Sequence, residues 1–188
     1  MRLLLFCVAA ALAGAPQPQG AVTNLDGHSV DALDARPGVL ATVLIFLRTD
    51  CPVANQAAPA IERVHRDNSR RGVRVWLVFV DPAETAAMAR DHLRAFGVHA
   101  PALRDPEHVL VRRTGVRVTP EAALYLHDGA TPRLVYRGRL DNRVVRLGVQ
   151  RPRATRRDLQ EAIDKALAGA ITEPIITPAI GCAIAGVE

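Results

Sequence analysis

Aromatic residues make up only 4% of the chain, and Lys165 is its one lysine, so the positive charge is borne almost wholly by arginine. A platform for single-stranded nucleic acid needs aromatic side chains set within a clustered basic face. Here aromatics are sparse and the arginines are scattered along the sequence. The net charge of +5 therefore does not indicate nucleic-acid binding. Cysteine is also scarce: Cys7, Cys51 and Cys182 are the only three, and none shares a C-x-x-C spacing with another. His28, His65, His92, His99, His108 and His127 show no paired spacing of a zinc or copper site, so neither a metal nor another cofactor is expected. No internal repeat is present. No uncharged apolar run reaches the roughly 20 residues that span a bilayer.

What is present is enough for one domain with a proper core: 188 residues, 49% of them hydrophobic. Arg2 followed by the apolar residues 3–13, with Ala11-Leu12-Ala13 as a small-residue cleavage site, predicts a signal peptide over residues 1–15. The protein is thus expected to be exported, periplasmic or secreted. Cys7 falls inside that peptide. The mature chain keeps Cys51 and Cys182, a pair that has chemical meaning in an oxidising compartment.

Residues 46–59, FLRTDCPVANQAAP, organise the rest. Residues 39–47 form an apolar, β-branched run that predicts a buried strand. Residues 52–70 carry a helical pattern, with Ile61 and Val64 as its apolar stripe and Glu62, Arg63, Arg66 and Asp67 towards water. Cys51 therefore stands at a strand-to-helix junction, with Pro52 suited to the first helical position. Free N–H groups and the positive helix end favour a thiolate there, which makes the sulfur a nucleophile or a metal ligand. Pro59 lies eight residues further on and should kink the helix. In this combination the sequence resembles the thioredoxin superfamily, and within it the exported redoxin domains of AhpC/TSA-like and thiol–disulfide-oxidoreductase-like type. The resemblance extends over residues 21–170.

The remaining segments fit that frame. Residues 21–33 read as a hairpin about Asp26-Gly27, and redoxin domains start with a similar "LDG" turn. Residues 73–80 predict a second core strand. Residues 84–96 predict a helix with Met88, Leu93 and Phe96 inward. Residues 98–103 predict an edge strand, and Asp105 should cap a helix over residues 106–114. The resemblance implies a cis proline at Pro120, packed with Thr119 against the active-site cysteine. Residues 133–140, within "YRGRLDNR", resemble the last strand of such domains. Thr155 should cap a closing helix to Ala168 with Leu159, Ile163 and Leu167 inward. The expected fold is a thioredoxin-like α/β three-layer sandwich with a central mixed sheet, flanking helices and an N-terminal hairpin. Residues 171–188 form an apolar tail carrying Cys182, which should cover either its own domain or a partner.

Compared with the superfamily's patterns, Ala54 stands where C-x-x-C members have their second cysteine. Asn55 stands where copper-handling members of the Sco type have theirs. In the peroxidase pattern P-x-x-x-T-x-x-C, Leu44 and Arg48 replace the proline and the threonine, and Thr49 is displaced by one residue. The expected catalytic set is Cys51 as nucleophile, Cys182 as resolving thiol, Thr49 beside the sulfur and Glu121 as a proton acceptor. Pro52, Thr119 and Pro120 should form the substrate wall. Arg48 would stabilise a thiolate and Asp50 oppose it, unless the two pair with each other. Partners are a protein thiol or disulfide, or a small peroxide, and a membrane contact through the tail has no spanning segment to support it. The alternative is a non-catalytic thioredoxin-like module with a structural Cys51–Cys182 disulfide, or with both sulfurs holding Cu(I).

Overall fold

Seven consecutive residues, Ala41 to Leu47, are fully buried, because the strand they form lies mid-sheet with apolar layers on both faces. The computed structural model describes residues 22–129 and 131–187. In chain order it contains β1 (Thr23–Asn24), β2 (Ala41–Leu47), α1 (Pro52–Asn68), β3 (Val73–Phe79), α2 (Ala86–Ala95), β4 (Ala102–Arg104) and α3 (Val109–Thr114). There follow β5 (Val118–Thr119), β6 (Glu121–Leu126), β7 (Arg133–Gly138), β8 (Val144–Arg146), β9 (Val149–Gln150), α4 (Asp158–Leu167), β10 (Ile175–Ile176) and β11 (Cys182–Ala183). The predicted signal peptide lies outside the described residues.

The main sheet has the order β1-β4-β3-β2-β6-β7-β10. β2, β3 and β4 are mutually parallel, whereas β6 runs antiparallel to both β2 and β7. On one face Val43 and Ile45 pack with Ile61 and Val64 of α1 and Leu159 and Ile163 of α4. On the other, Leu44 and Phe46 pack with Leu110 and Val111 of α3. This is the expected mixed sheet between helical layers. Among the described residues no helix is long and apolar enough to cross a membrane.

Several local expectations need correction. The N-terminal hairpin shrinks to β1 and a single bridge, Thr23 to Ser29. β4 is not the sheet edge, because β1 pairs outside it. α2 buries Ala89, and its Met88 and the following Phe96 stay exposed. Thr85 caps α2 by accepting from the Met88 N–H, which leaves Glu84 free to turn elsewhere. Asp105 does accept from the N–H groups of Val109, Leu110 and Val111, but α3 starts three residues later than expected. Thr155 does not cap α4. Its hydroxyl and N–H are both held by the Asn142 side chain, which organises the segment between β7 and α4.

β7 is not the last strand, and the tail is part of the sheet. β10 adds parallel to β7 at the edge, and the Thr177 N–H donates to the Arg137 carbonyl at 3.0 Å. Tyr136 is buried, and its hydroxyl bonds the Arg139 carbonyl and Thr177 Oγ1, so burial pushes the phenol up to about 12. Gly138 has φ +147°, and a side chain there would collide with Thr177, so this glycine is what lets the tail cross.

Candidate active site

Cys51 is the N-cap of α1, with extended backbone (φ −85°, ψ 108°), Pro52 at the first helical position and no acidic residue in the first turn. Leu47 and Phe46 anchor the strand before it and Ala54 and Ala58 the helix after it, so the sulfur is fixed from both sides. Cys51 is fully buried. It is bonded to Cys182 in a disulfide with the Cα atoms 6.0 Å apart. Its Sγ lies 3.0 Å from the Thr119 carbonyl oxygen, and the Thr119–Pro120 bond is cis.

The tail lies against Thr119, part of the expected substrate wall. β11 pairs antiparallel with β5, Cys182 opposite Thr119 and Ala183 opposite Val118. The Ile184 N–H donates to the Arg117 carbonyl at 2.9 Å, and the Ile184 side chain is buried in the α3-side core. At Gly181 a Cβ would collide with the Thr119 carbonyl, so only glycine lets the tail lie this close. Thr119 and Pro120 thus form a wall, and the protein's own tail is laid against it. Pro52 remains exposed at the helix mouth.

The loop before Cys51 is held by side chains. Arg48 forms ion pairs with Asp50 at 2.7 Å and Asp81 at 3.3 Å, and also reaches the Ala183 carbonyl. Its charge is therefore committed to those two carboxylates. The Thr49 N–H donates to Glu84 Oε1, and the Thr49 carbonyl accepts from Asn55 Nδ2. That orientation of the amide leaves Asn55 Oδ1 to accept from His92 Nε2 at 2.7 Å. His92 is thereby the Nε2–H tautomer, with a buried Nδ1 that receives no hydrogen-bond donor. Burial holds its pKa below the usual histidine value. Glu84 is almost fully buried and its second oxygen has no partner. Burial, with Asp81 and Asp50 adding to it, raises its carboxyl above the ordinary glutamate value.

Glu121 is not placed to serve Cys51. Strand alternation puts Ala122 and Leu124 on the α1 face of the sheet, so Glu121 points to the opposite face with Ala123 and Tyr125. There its Oε2 accepts from the N–H groups of Arg117 and Val118, fastening the turn that carries Thr119 and Pro120. It is a positioning residue. Glu84 was missed by sequence reasoning, since a glutamate after Asp-Pro-Ala looks like a solvated helix start. Among the described residues no group of three or more His, Cys, Asp or Glu could hold a metal ion.

A cavity of about 330 Å³ lies beside these elements. Val53 and Ala57 of α1, Pro120, and Pro178 and Ile180 of the tail form its inner side. The segment from Arg139 to Arg157 forms the outer one, and Gln150 of β9 bonds Gln56 of α1 across it.

Comparison with known proteins bears on the family and the fold. The sequence pattern described as the AhpC/TSA family matches residues 13–136. No functionally curated protein matches significantly. Among solved structures, an uncharacterised conserved protein from Geobacillus kaustophilus is similar at 24% identity and TM-score 0.71, over 87% of this chain and 86% of that one. A protein of Sinorhizobium meliloti 1021 is similar at 24% identity and TM-score 0.70, over 87% and 88%. A secreted Mycobacterium tuberculosis disulfide oxidoreductase homologous to E. coli DsbE is similar at 22% identity and TM-score 0.51, over 80% and 96%. The fold is thioredoxin-like.

Proposed function

The chain belongs to the AhpC/TSA family, and from that premise we propose that it is an exported thiol–disulfide oxidoreductase whose redox couple is Cys51 and Cys182. The observation that carries this reading is the placement of the disulfide. It joins a cysteine at a helix N-terminus to a cysteine laid against the Thr119–Pro120 turn. The former sulfur is suited to leave as a thiolate, the latter to receive an attacking one.

Cys51 is fully buried and Cys182 only partly so. An incoming thiolate therefore attacks Cys182 Sγ, which reverses the roles expected from the sequence, with Cys51 as the nucleophile and Cys182 as the resolving thiol. The Cys51–Cys182 bond breaks, a mixed disulfide forms on Cys182, and Cys51 departs with the electron pair. Departure is favoured because the free N–H groups and positive end of the first turn of α1 stabilise the anion. A second thiolate then attacks the mixed disulfide, releasing a small or protein disulfide and leaving two protein thiols. Run in reverse, the two protein thiols reduce a substrate disulfide to two thiols, and the Cys51–Cys182 bond re-forms.

Exchange is favoured over peroxide reduction, because Arg48 is already engaged by Asp50 and Asp81 and no threonine stands at its position. The test is turnover of a disulfide substrate such as insulin by a dithiol, with Cys51→Ser and Cys182→Ser. Loss of turnover in both variants, with partner adducts mapped to Cys182 in the native protein, is expected. Turnover equal to the uncatalysed rate would overturn this reading in favour of a structural staple.

A further inference from the structure

The arginines that look scattered in sequence are gathered in space. Arg63 of α1, with Arg139, Arg143, Arg153 and Arg157 of the later segment, lines the cavity, and among the described residues Asp141 is the only carboxylate in its wall. Arg139 is neutralised by a bidentate pair with the buried Asp158. Among the described residues, no carboxylate lies within ion-pair distance of Arg63, Arg143, Arg153 or Arg157. Arg143 Nε is in addition buried without an acceptor. Several uncompensated guanidinium groups around one small cavity repel one another unless an anion sits among them.

We infer that this cavity binds a small thiol, or its disulfide, bearing two or more carboxylates, and presents its sulfur to Cys182. The inference deepens the exchange reading and rests on it for the reaction. Three features select this class. The cavity, about 330 Å³, has the size of a small-molecule site. Its inner wall includes Val53, Pro120 and Ile180, each within two residues of Cys51, Thr119 or Cys182. The position an extended protein substrate would take against Thr119 is filled by β11, which leaves the cavity as the approach. In the reaction two such thiolates consume the Cys51–Cys182 bond and leave as one small disulfide, with both protein sulfurs reduced.

The probe is glutathione compared with its diethyl ester, which has the same thiol with both carboxylates masked. Steering by a cavity of one charge sign raises association about tenfold or more. Glutathione should reduce the native disulfide faster than the ester by that factor, and the ratio should fall towards one in about 0.5 M salt. The ratio should also collapse in Arg63→Gln/Arg153→Gln and persist in Arg36→Gln/Arg94→Gln, which removes the same charge elsewhere. Equal rates for the two thiols in the native protein would overturn the inference and leave the exchange reading standing. If neither thiol reduces the folded protein, the exchange reading fails. The cavity is then judged by calorimetry with S-methylglutathione, where binding lost in Arg63→Gln/Arg153→Gln supports it and no binding overturns it.

Discussion

Glu84 and Cys51 are linked through one peptide group. The Thr49 N–H that Glu84 holds belongs to the loop that delivers Cys51 to α1. In the unfolded chain Glu84 titrates at the ordinary glutamate value, whereas burial raises it in the fold. The folded carboxyl therefore keeps its proton to a higher pH than the unfolded one. Its contribution to stability is complete below the ordinary value and is lost as the pH rises through the raised one. Glu84→Gln keeps an acceptor for Thr49 and removes the titration. The variant should gain melting temperature over the native protein as the pH goes from about 4 to about 7. A constant difference across that range would show that Glu84 does not titrate with folding. Cys51 was legible in the sequence because strand, Cys-Pro and Pro59 occur together. Glu84 was not, because its role depends on Thr85 taking the cap. Glu121 was legible as a residue of the turn but not in its direction, which strand alternation from Ala122 decides.

Among the elements, β2, β3 and α1 followed from apolar runs and helical spacing, since each is dictated by its own residues. α2 did not, because Ala89 and Leu93 make its buried stripe and Met88 lies about 100° round the helix from Ala89. The tail strands β10 and β11 have two residues each and no periodicity to read. They exist because Gly138 and Gly181 let the chain approach, and because Tyr136 and Ile184 secure it on either side of Cys182. This double anchorage is expected to keep Cys182 near Cys51 after reduction, as a tethered thiol and not as a loose arm. Ile184→Ala removes the outer anchor, a loss of roughly 2–5 kcal/mol for a buried side chain. In the reduced variant, Cys51 should be alkylated at least about tenfold faster than in reduced native protein, with unchanged far-UV circular dichroism. Equal alkylation rates would mean that β11 does not cover Cys51.

On the scale of the molecule, the expected architecture and its AhpC/TSA character agree with the fold and the family match. The arginine cluster was hidden, because Arg63 and Arg153 meet only after the chain has passed through β6, β7 and the β8–β9 ribbon. The disulfide spans 131 residues, and closing so long a loop would stabilise a fold by up to about 5 kcal/mol in the chain-entropy model. A staple and a redox couple therefore differ in how reduction relates to unfolding. The direct measurement is the rate of Cys51–Cys182 reduction by dithiothreitol, read by alkylation and mass mapping, beside near-UV circular dichroism in the same solution. The account predicts that both thiols appear faster than in a small-molecule disulfide free in solution, while the near-UV signal is retained. Reduction that proceeds only in step with loss of that signal would contradict it, and Cys51–Cys182 would then be a structural bond.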